Sequence, residues 1–562
     1  MKSLPLILSV LLFFTFSLRA ENRIYERVFV HTDKDCYVAG EDILLDFYVV
    51  NRNFQPSTLS RVGYVEICDT QKPQMQLKVA LEKGRGAGKI EIPINLPSGI
   101  YRLSGYTRYM RNEGENAFFD KQIAIVNVEE QFSDHKRFES VENFNGIPLT
   151  ETNSSGEKGL IHPLVKTDQN KYGNRSKVLL SLSNIPDNAA DLVISVSRDD
   201  SIAGIPDVDY NAWLKQVADT LPFSGQWLPE YEGHIITGRF VPDSSTEQLI
   251  SSIAFVGNDM RYFIGKSDTQ NGTIDFYTAG IFGKQQIVTS AASPIFDNIT
   301  SRVDLLSPYS ESLPDSLPVL QFYPNEKQLM ERYIGVQIKD RTKNDSLNNL
   351  IQSPRYCNLQ PVVSYNLNEY TRFGSISETI LEYVYQLRVS KLGGRRRIRV
   401  FMNGEFNQGN TLVLLDGVPI YNHEDILAYN PMYIKTINIY DNYFLFGGIY
   451  YEGIVSFLTF EGDLPLFQLN NGSQQFDYDC PQLPPEFESP DYSIDGMQHS
   501  KKPDFRHTLY WNPSVKLTNG QSVNLSFYTS DLCGEFKITV KGITTDGKEI
   551  QATSRFQVTT SP

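Results

Sequence analysis

Seven histidines, His31, His135, His162, His234, His423, His499 and His507, are the first residues to test for chemistry. No two stand four apart, so no pair of imidazoles shares one turn of a helix as a zinc site would require. The sequence also contains no H-E-x-x-H, G-x-S-x-G, Walker A or EF-hand pattern. The five cysteines, Cys36, Cys68, Cys357, Cys480 and Cys533, are odd in number, far apart and free of C-x-x-C spacing. They read as isolated buried thiols, with Cys36 to Cys68 the pairing an oxidising compartment would allow. Gly84-Arg85-Gly86-Ala87-Gly88 lacks the strand and helix that make glycines a phosphate cradle and reads as a flexible hairpin end. Lys391, Arg395, Arg396, Arg397 and Arg399 form the strongest basic cluster, interrupted by Gly393-Gly394. Such a patch suits anionic lipid headgroups, lipopolysaccharide or an acidic partner. The plainer reading is a solvated hairpin with alternating arginines facing water. No pair of carboxylates is singled out, and no cofactor or metal is implied.

The elements that must carry these residues are mostly strands. Among 562 residues, 40% are hydrophobic, 12% aromatic and 21% charged, which argues against disorder and coiled coil and favours pleated, half-buried surfaces. A net charge of −14 supplies no field to gather phosphates, so nucleic acid is not an expected partner. Residues 1–20 have the form of a signal peptide, with Lys2, an apolar run from Leu4 to Leu18 and a small residue at Ala20. Period-two alternation at Ile43, Leu45, Phe47 and Val49 opens a β-sandwich over 21–130. A polar linker is expected over 131–170, a second β-domain over 171–225 and a small β-sandwich over 226–310, with Asn271-Gly272 at a hairpin turn. A helical connector over 311–354 contains helical spacing at Leu329, Tyr333 and Val336. An α+β unit over 355–465 contains a capping box, Ser375-Ile376-Ser377-Glu378, before an apolar face of Ile376, Ile380, Tyr383, Val384 and Leu387. A Pro-rich linker over 466–502 and a terminal sandwich over 503–562 complete the chain. The fold class is therefore mainly β, serial Ig-like sandwiches plus one α+β domain.

Two family resemblances attach to particular residues. His31-Thr32-Asp33-Lys34, with Tyr37, Gly40 and Glu41, followed by Leu96-Pro97-Ser98-Gly99, resembles the MG2 domain of the α2-macroglobulin superfamily in the form common in secreted Bacteroidota proteins. The segments at Leu509–Pro513, Phe527–Asp531 and Val540–Ile543 are similar to a further macroglobulin-type sandwich. Asp416-Gly417-Val418-Pro419, preceded by Thr411-Leu412-Val413-Leu414-Leu415, is similar to the plug domain of TonB-dependent outer-membrane receptors. The unit over 226–310 is read as resembling a carboxypeptidase-regulatory sandwich. Asp-Ser/Thr-Leu triplets at Asp219, Asp315 and Asp345 resemble the O-glycosylation acceptor pattern of Bacteroidota.

These resemblances carry functional expectations. Protease-trapping macroglobulins use a Cys-Gly-Glu-Gln thioester, whereas Cys533-Gly534-Glu535 is followed by Phe536, which has no acyl group for the thiol. Trapping is not expected. A receptor plug fills a barrel of about 22 strands, each about ten residues, and the roughly 100 residues after Pro465 are too few to supply one. The expected role is a non-enzymatic envelope protein, secreted across the inner membrane and periplasmic or outer-membrane-associated. It would be an accessory or docking factor for an outer-membrane protein complex, a TonB-dependent receptor or assembly machinery, with peripheral membrane association through the basic patch. The alternative is a glycan- or peptide-binding module using the rings of Tyr443, Phe444, Phe446, Tyr450 and Tyr451, although core packing is the plainer use of those rings. A hydrolase with an unrecognised site is a third class.

Overall fold

The computed structural model describes residues 25–560, apart from 131–137, 141–159, most of 201–220, 242–249, 269–271, 293–300, 323–324, 343–358, 447–448, 516–521 and a few single positions. The expected signal peptide, Cys357, His135, His499, Asn271 and the triplets at Asp219 and Asp345 lie outside these residues. The described chain is mainly β, with serial Ig-like sandwiches followed by an α+β unit.

The first sandwich packs a three-stranded sheet (Arg27–Thr32, Asp42–Val50, Arg85–Glu91) on a five-stranded one (Cys36–Val38, Phe119–Val126, Gly99–Thr107, Val62–Cys68, Pro73–Ala80). Ile43, Leu45, Phe47 and Val49 point inward as their alternation predicts, onto Tyr64, Leu103 and Ile123. The opposite face of that strand is buried as well, because Leu44 packs on Val193 and Trp511 of the next sandwich. Gly86 and Gly88 lie inside the strand Arg85–Glu91 rather than in a flexible end. A Cβ on Gly86 would fall 2.5 Å from the Ala80 carbonyl oxygen, so these glycines permit a close backbone approach.

The second sandwich corrects the expected division of the chain. Strands expected in separate domains at 171–225 and 503–562 share one core. Lys177–Ser183 pairs with Val523–Tyr528, and Ala189–Arg198 pairs with both Gly534–Thr544 and Thr508–Asn512. Val178, Leu180 and Ile194 from one segment meet Phe527, Phe536 and Ile538 from the other. Each segment presents an alternating apolar face and lacks the strands to cover it, so burial is achieved by joining the two. The linker expected over 131–170 likewise supplies Leu164–Thr167 to this sandwich.

A third sandwich pairs the sheet of Lys266–Asp268, Thr273–Tyr277, Ile235–Val241 and Arg302–Leu305 with that of Arg261–Ile264, Ile250–Phe255, Lys284–Ala292 and Ser473–Asp479. Its last strand comes from the expected Pro-rich linker, whose Phe476 and Tyr478 rings add to the core. Helix α1 (Glu326–Thr342) lies against the first sandwich, where Val336 meets Gly40.

The α+β unit has a five-stranded sheet in the order Val363–Asn366, Ile434–Phe446, Ile449–Thr459, Leu412–Leu415, Val418–Pro419. Helices α2 (Ile376–Tyr383) and α3 (His423–Leu427), with the ribbon Leu387–Leu392/Arg395–Met402, close its core. Ser375 caps α2 by accepting from Glu378 N, while the Glu378 carboxylate accepts from Gly374 N, one residue before the expected partner. Ile376 and Ile380 are buried on the helix as the spacing requires, whereas the expected helical face ends early: the helix stops at Tyr383, Val384 caps it, and Leu387 is buried as the first residue of the ribbon strand.

Candidate functional site

The segment from His31 to Glu41 folds as a turn clamp. Thr32 Oγ1 donates to Lys34 O (2.7 Å), and Asp33 Oδ1 accepts from the Tyr37 hydroxyl (2.8 Å) and from Leu44 N (3.1 Å). The same bonds recur in the second sandwich. Thr167 Oγ1 donates to Gln169 O (2.7 Å), and Asp168 Oδ1 accepts from Tyr172 (2.7 Å) and Leu179 N (2.8 Å). Both copies read Thr-Asp-x-x-x-Tyr with a Leu eleven residues after the Asp. Both also place a positive φ seven residues after it, at Gly40 (90°) and Arg175 (53°). The clamp is thus a folding device of each sandwich.

The first copy carries an addition that the second lacks. Glu41 accepts from Arg332 Nε (2.8 Å) on α1 and pairs with Lys34 (3.1 Å). Arg332, fully buried, also pairs with Asp200 (3.2 Å) and donates to Cys36 O (3.0 Å). Asp200 in turn accepts from His507 Nε2 (2.8 Å), and Asp33 Oδ2 accepts from Thr508 Oγ1 (2.7 Å). Burial raises the Glu41 and Asp200 carboxyls, but Arg332 with its neighbouring cations outweighs it and holds both well below the usual carboxylate range. Burial pushes the Cys36 thiol up to about 12 and the His507 imidazole below its usual range. Glu41, supported by Lys34, and Gly40 therefore join the first sandwich to α1, Asp33 joins the first sandwich to the second, and Asp200 joins the second to α1. His31 lies beside this junction, tilted against Phe29, in an inter-sandwich cavity of about 100 Å³ that Asp35, Lys121, Lys537 and Lys541 also line.

Asp416 and Gly417 form a two-residue hairpin turn with φ of 46° and 79°, the pattern in which Asp-Gly is favoured. Asp416 is fully buried. Its carboxylate accepts from Thr459 N (2.8 Å), Thr459 Oγ1 (2.7 Å) and Leu464 N (3.0 Å). Val418 and Pro419 complete the short strand after the turn, and both are buried. The motif thus ties the turn to the strand Ile449–Thr459 and the segment beyond it and presents no reactive group to solvent.

The basic cluster divides by strand alternation. Arg396 faces α3 and is paired with Glu424 (2.6 Å). Arg395, Arg397 and Arg399 point the other way, because Ile398 and Val400 between them enter the core. Arg399 donates to Gln408 Oε1 (2.9 Å) and Arg397 to the Tyr421 carbonyl (3.2 Å). Burial, then the neighbouring Arg395, lowers the Arg397 guanidinium below its usual range. Lys391 is exposed opposite Arg396. Arg388, outside the expected cluster, stands directly across from Arg399 with its guanidinium 4.3 Å over the Phe406 ring. Its alternation with Leu387 and Val389 was the signal that would have added it. The aromatic segment also divides, with Tyr451 buried and Tyr443 and Tyr450 stacked at 5.4 Å with about half of each exposed.

Other sequence features resolve as packing. Phe536, where a thioester would need Gln, is a fully buried core ring, and Cys533 stands just before the strand Gly534–Thr544. His234 and His423 are buried, with imidazoles lowered to about 4 and about 3 by burial first and then by nearby cations. His234 donates or accepts between Glu230 (2.9 Å) and Tyr478 (2.7 Å) at the contact of the first and third sandwiches. Among the described residues no group of histidine, cysteine and carboxylate side chains is placed to hold a metal. No helix of the described residues is long and apolar enough to cross a membrane.

No family model matches the sequence, and no curated protein matches it. Among solved structures, the chain is similar to the methylamine-reacted α2-macroglobulin of Salmonella, at 9% identity and a TM-score of 0.25 over 95% of this chain and 40% of that one. It is similar to trypsin-activated α2-macroglobulin of Escherichia coli at 9% identity and a TM-score of 0.24, over 96% and 42% of the two chains. The Escherichia coli adhesin FdeC matches at 10% identity and a TM-score of 0.15, over 54% and 66%. The chain spans about two fifths of the length of these macroglobulins.

Proposed function

We propose that this chain is a non-enzymatic protein of the Gram-negative cell envelope that docks onto an outer-membrane protein complex, a TonB-dependent receptor or an assembly machine. The observation that carries the reading is the division between buried and exposed chemistry. Asp33, Glu41, Arg332 and Asp416 are committed to bonds that hold elements together. Exposed side chains available for contact include Arg388 of the ribbon and the rings of Tyr443 and Tyr450 on the long hairpin. The MG2-like and plug-like motifs, read as resemblances, support an export and outer-membrane context for this architecture. Docking through sheet surfaces needs no catalytic group, which agrees with a sequence that nominates none. The test is affinity capture of the tagged chain from solubilised envelopes. Enrichment of an outer-membrane barrel protein is the expected result, and recovery of none above background overturns the reading.

A second reading, glycan binding, is favoured by one observation, the exposed and stacked Tyr443 and Tyr450 rings. Glycan-array binding that is lost in Tyr450→Ala with folding intact would support it in place of protein docking.

A further inference from the structure

We propose that the crevice between the first and second sandwiches binds a singly charged oxyanion, a carboxylate or phosphodiester group carried by a larger molecule, with Lys537 and Thr539 among its donors. This goes beyond protein docking, and the two fail separately, because small-anion binding is measured with no protein partner present.

One wall is the outer face of the second sandwich. Phe536, Ile538 and Val540 of the strand Gly534–Thr544 enter the core, so Lys537, Thr539 and Lys541 point outward by alternation. On the neighbouring strand Glu549–Val558, Thr553 stands directly opposite Thr539, and Gln551 opposite Lys541. All five line the cavity of about 100 Å³. Lys537, Thr539, Lys541 and Gln551 are half-buried, and Thr553 is exposed at the rim. Among the described residues, the side chains of Lys537, Thr539, Gln551 and Thr553 engage in no hydrogen bond or ion pair. An ammonium, two hydroxyls and an amide thus converge with unused donors, spaced about 5–7 Å apart by the pleat and the strand pairing. Arg555, opposite Lys537 but outside the cavity, is engaged by Asp199 (3.0 Å) and Glu535 (3.6 Å).

The opposite wall comes from the first sandwich and fixes the charge. Lys121 pairs with Asp35 (2.6 Å) and donates to Thr32 Oγ1 (2.7 Å). Partial burial raises the Asp35 carboxyl, but Lys121, Lys541 and Lys537 outweigh it and hold it below its usual value. One carboxylate therefore serves three ammoniums. Of the other carboxylates lining the cavity, Asp33 is committed to Tyr37, Leu44 N and Thr508, and Glu549 lies beyond Lys541, opposite Ile543. With Lys34, the lining sets four ammoniums against three carboxylates, a local positive excess on a chain whose net charge is −14. That excess suits one negative charge, and the unused donors suit a group rich in acceptors. The volume equals that of a few waters at about 30 Å³ each, enough for the oxyanion itself. The exposed Thr553 marks the side from which the rest of the ligand would extend, at a junction of two domains where ligand sites commonly form.

The experiment is a ligand-observed NMR titration of the full chain at constant ionic strength. Sodium glucuronate probes the carboxylate and sodium dimethyl phosphate the phosphodiester, with glucose and trimethyl phosphate as their neutral counterparts. Saturable binding of one or both anions is expected, and the one that binds identifies the source. The neutral probes should bind at least about tenfold more weakly, because a hydrogen bond to a charged group contributes at least about that factor. Lys537→Gln should weaken anion binding at least about tenfold and Thr539→Val about fivefold. Lys548→Gln, at an exposed pair with Asp546 outside the cavity, should leave it unchanged. No saturable binding of either anion by a folded wild-type chain, equal binding of charged and neutral probes, or equal affinity in wild type and Lys537→Gln each overturns the proposal. Circular dichroism and elution volume identify a variant that has failed to fold. In that event the wild-type chain decides: the bound anion must slow acetylation of Lys537 by an N-hydroxysuccinimide ester and leave that of Lys548 unchanged, or the proposal is overturned.

Discussion

Replacing Arg332 by Met should release helix α1 from the two sandwiches it joins. The guanidinium is fully buried and touches Glu41, Asp200 and the Cys36 carbonyl, so its loss leaves two buried carboxylates short of their principal cation. Removing one partner of a buried ion pair costs about 3–5 kcal/mol. The lower end applies, because Glu41 keeps Lys34 at 3.1 Å and Asp200 keeps His507 at 2.8 Å. About 3 kcal/mol raises the opening equilibrium of the helix roughly a hundredfold. Amide exchange over 326–342 is the proper assay, since a chain of several domains has no single unfolding free energy. The loss has a definite pH dependence. Burial first, and Arg332 in addition, disfavour the His507 imidazolium in the wild type. In the variant His507 can protonate against Asp200, a contribution present below the ordinary imidazole range and lost as pH rises. Protection should therefore fall further at about pH 8 than at about pH 6. In the wild type, Glu41 and Asp200 are depressed, so their contribution is complete above the ordinary carboxylate range and lost as pH falls below about 4. Less than about threefold faster exchange in Arg332→Met, or exchange equal to that of Lys339→Met at the half-exposed rim, would refute the reasoning.

Asp416→Ala strands three buried donors and puts Ala at a positive φ, so it should cost about 3 kcal/mol in the α+β unit, while Asp416→Asn should cost about 1. Thermolysin cleavage near 459–466 would report the difference. Gly40→Ala places a Cβ 2.4 Å from Val336 Cγ1 at φ 90°, and should loosen α1 by at least about 2 kcal/mol in the same exchange assay. His234 and His423 have folded-state values of about 4 and about 3, so the unfolded chain binds more protons below the ordinary imidazole range. Stability should fall on acidification from about pH 6.5, and His423→Gln should flatten that slope. Cys36, Cys68 and Cys480, each pushed up to about 12 by burial, should resist iodoacetamide at about pH 8 in the native protein and react on addition of urea.

Much of the local structure was legible in the residues. The alternation at Ile43, Leu45, Phe47 and Val49, the Ser375 cap and the Asp416-Gly417 turn each depend on backbone dihedrals and neighbours a few residues away. Those interactions are written within a single short window. The repeat of Thr-Asp-x-x-x-Tyr at Thr32 and Thr167 was equally visible, although its meaning as a duplicated clamp required the matching hydrogen bonds. The split of the arginines, with Arg396 on the face toward α3 and Arg395, Arg397 and Arg399 on the opposite face, was implicit in the same period of two once Ile398 and Val400 were placed in the core.

The sequence by itself determined a mainly β chain, the positions of its tightest turns and the lack of a Gln after Cys533-Gly534-Glu535. Only the tertiary structure decided that the strands around 177–198 and 508–558 complete one sandwich, and that Ser473–Asp479 returns to the third. It alone brought Glu41, Asp200, Arg332 and His507 together. Strand pairing is nearly indifferent to identity when many segments carry the same alternating apolar pattern, so the choice among partners is made by the burial each assembled core achieves. A buried charge cluster likewise has no local signature, because its stability comes from partners hundreds of residues apart meeting where water is excluded.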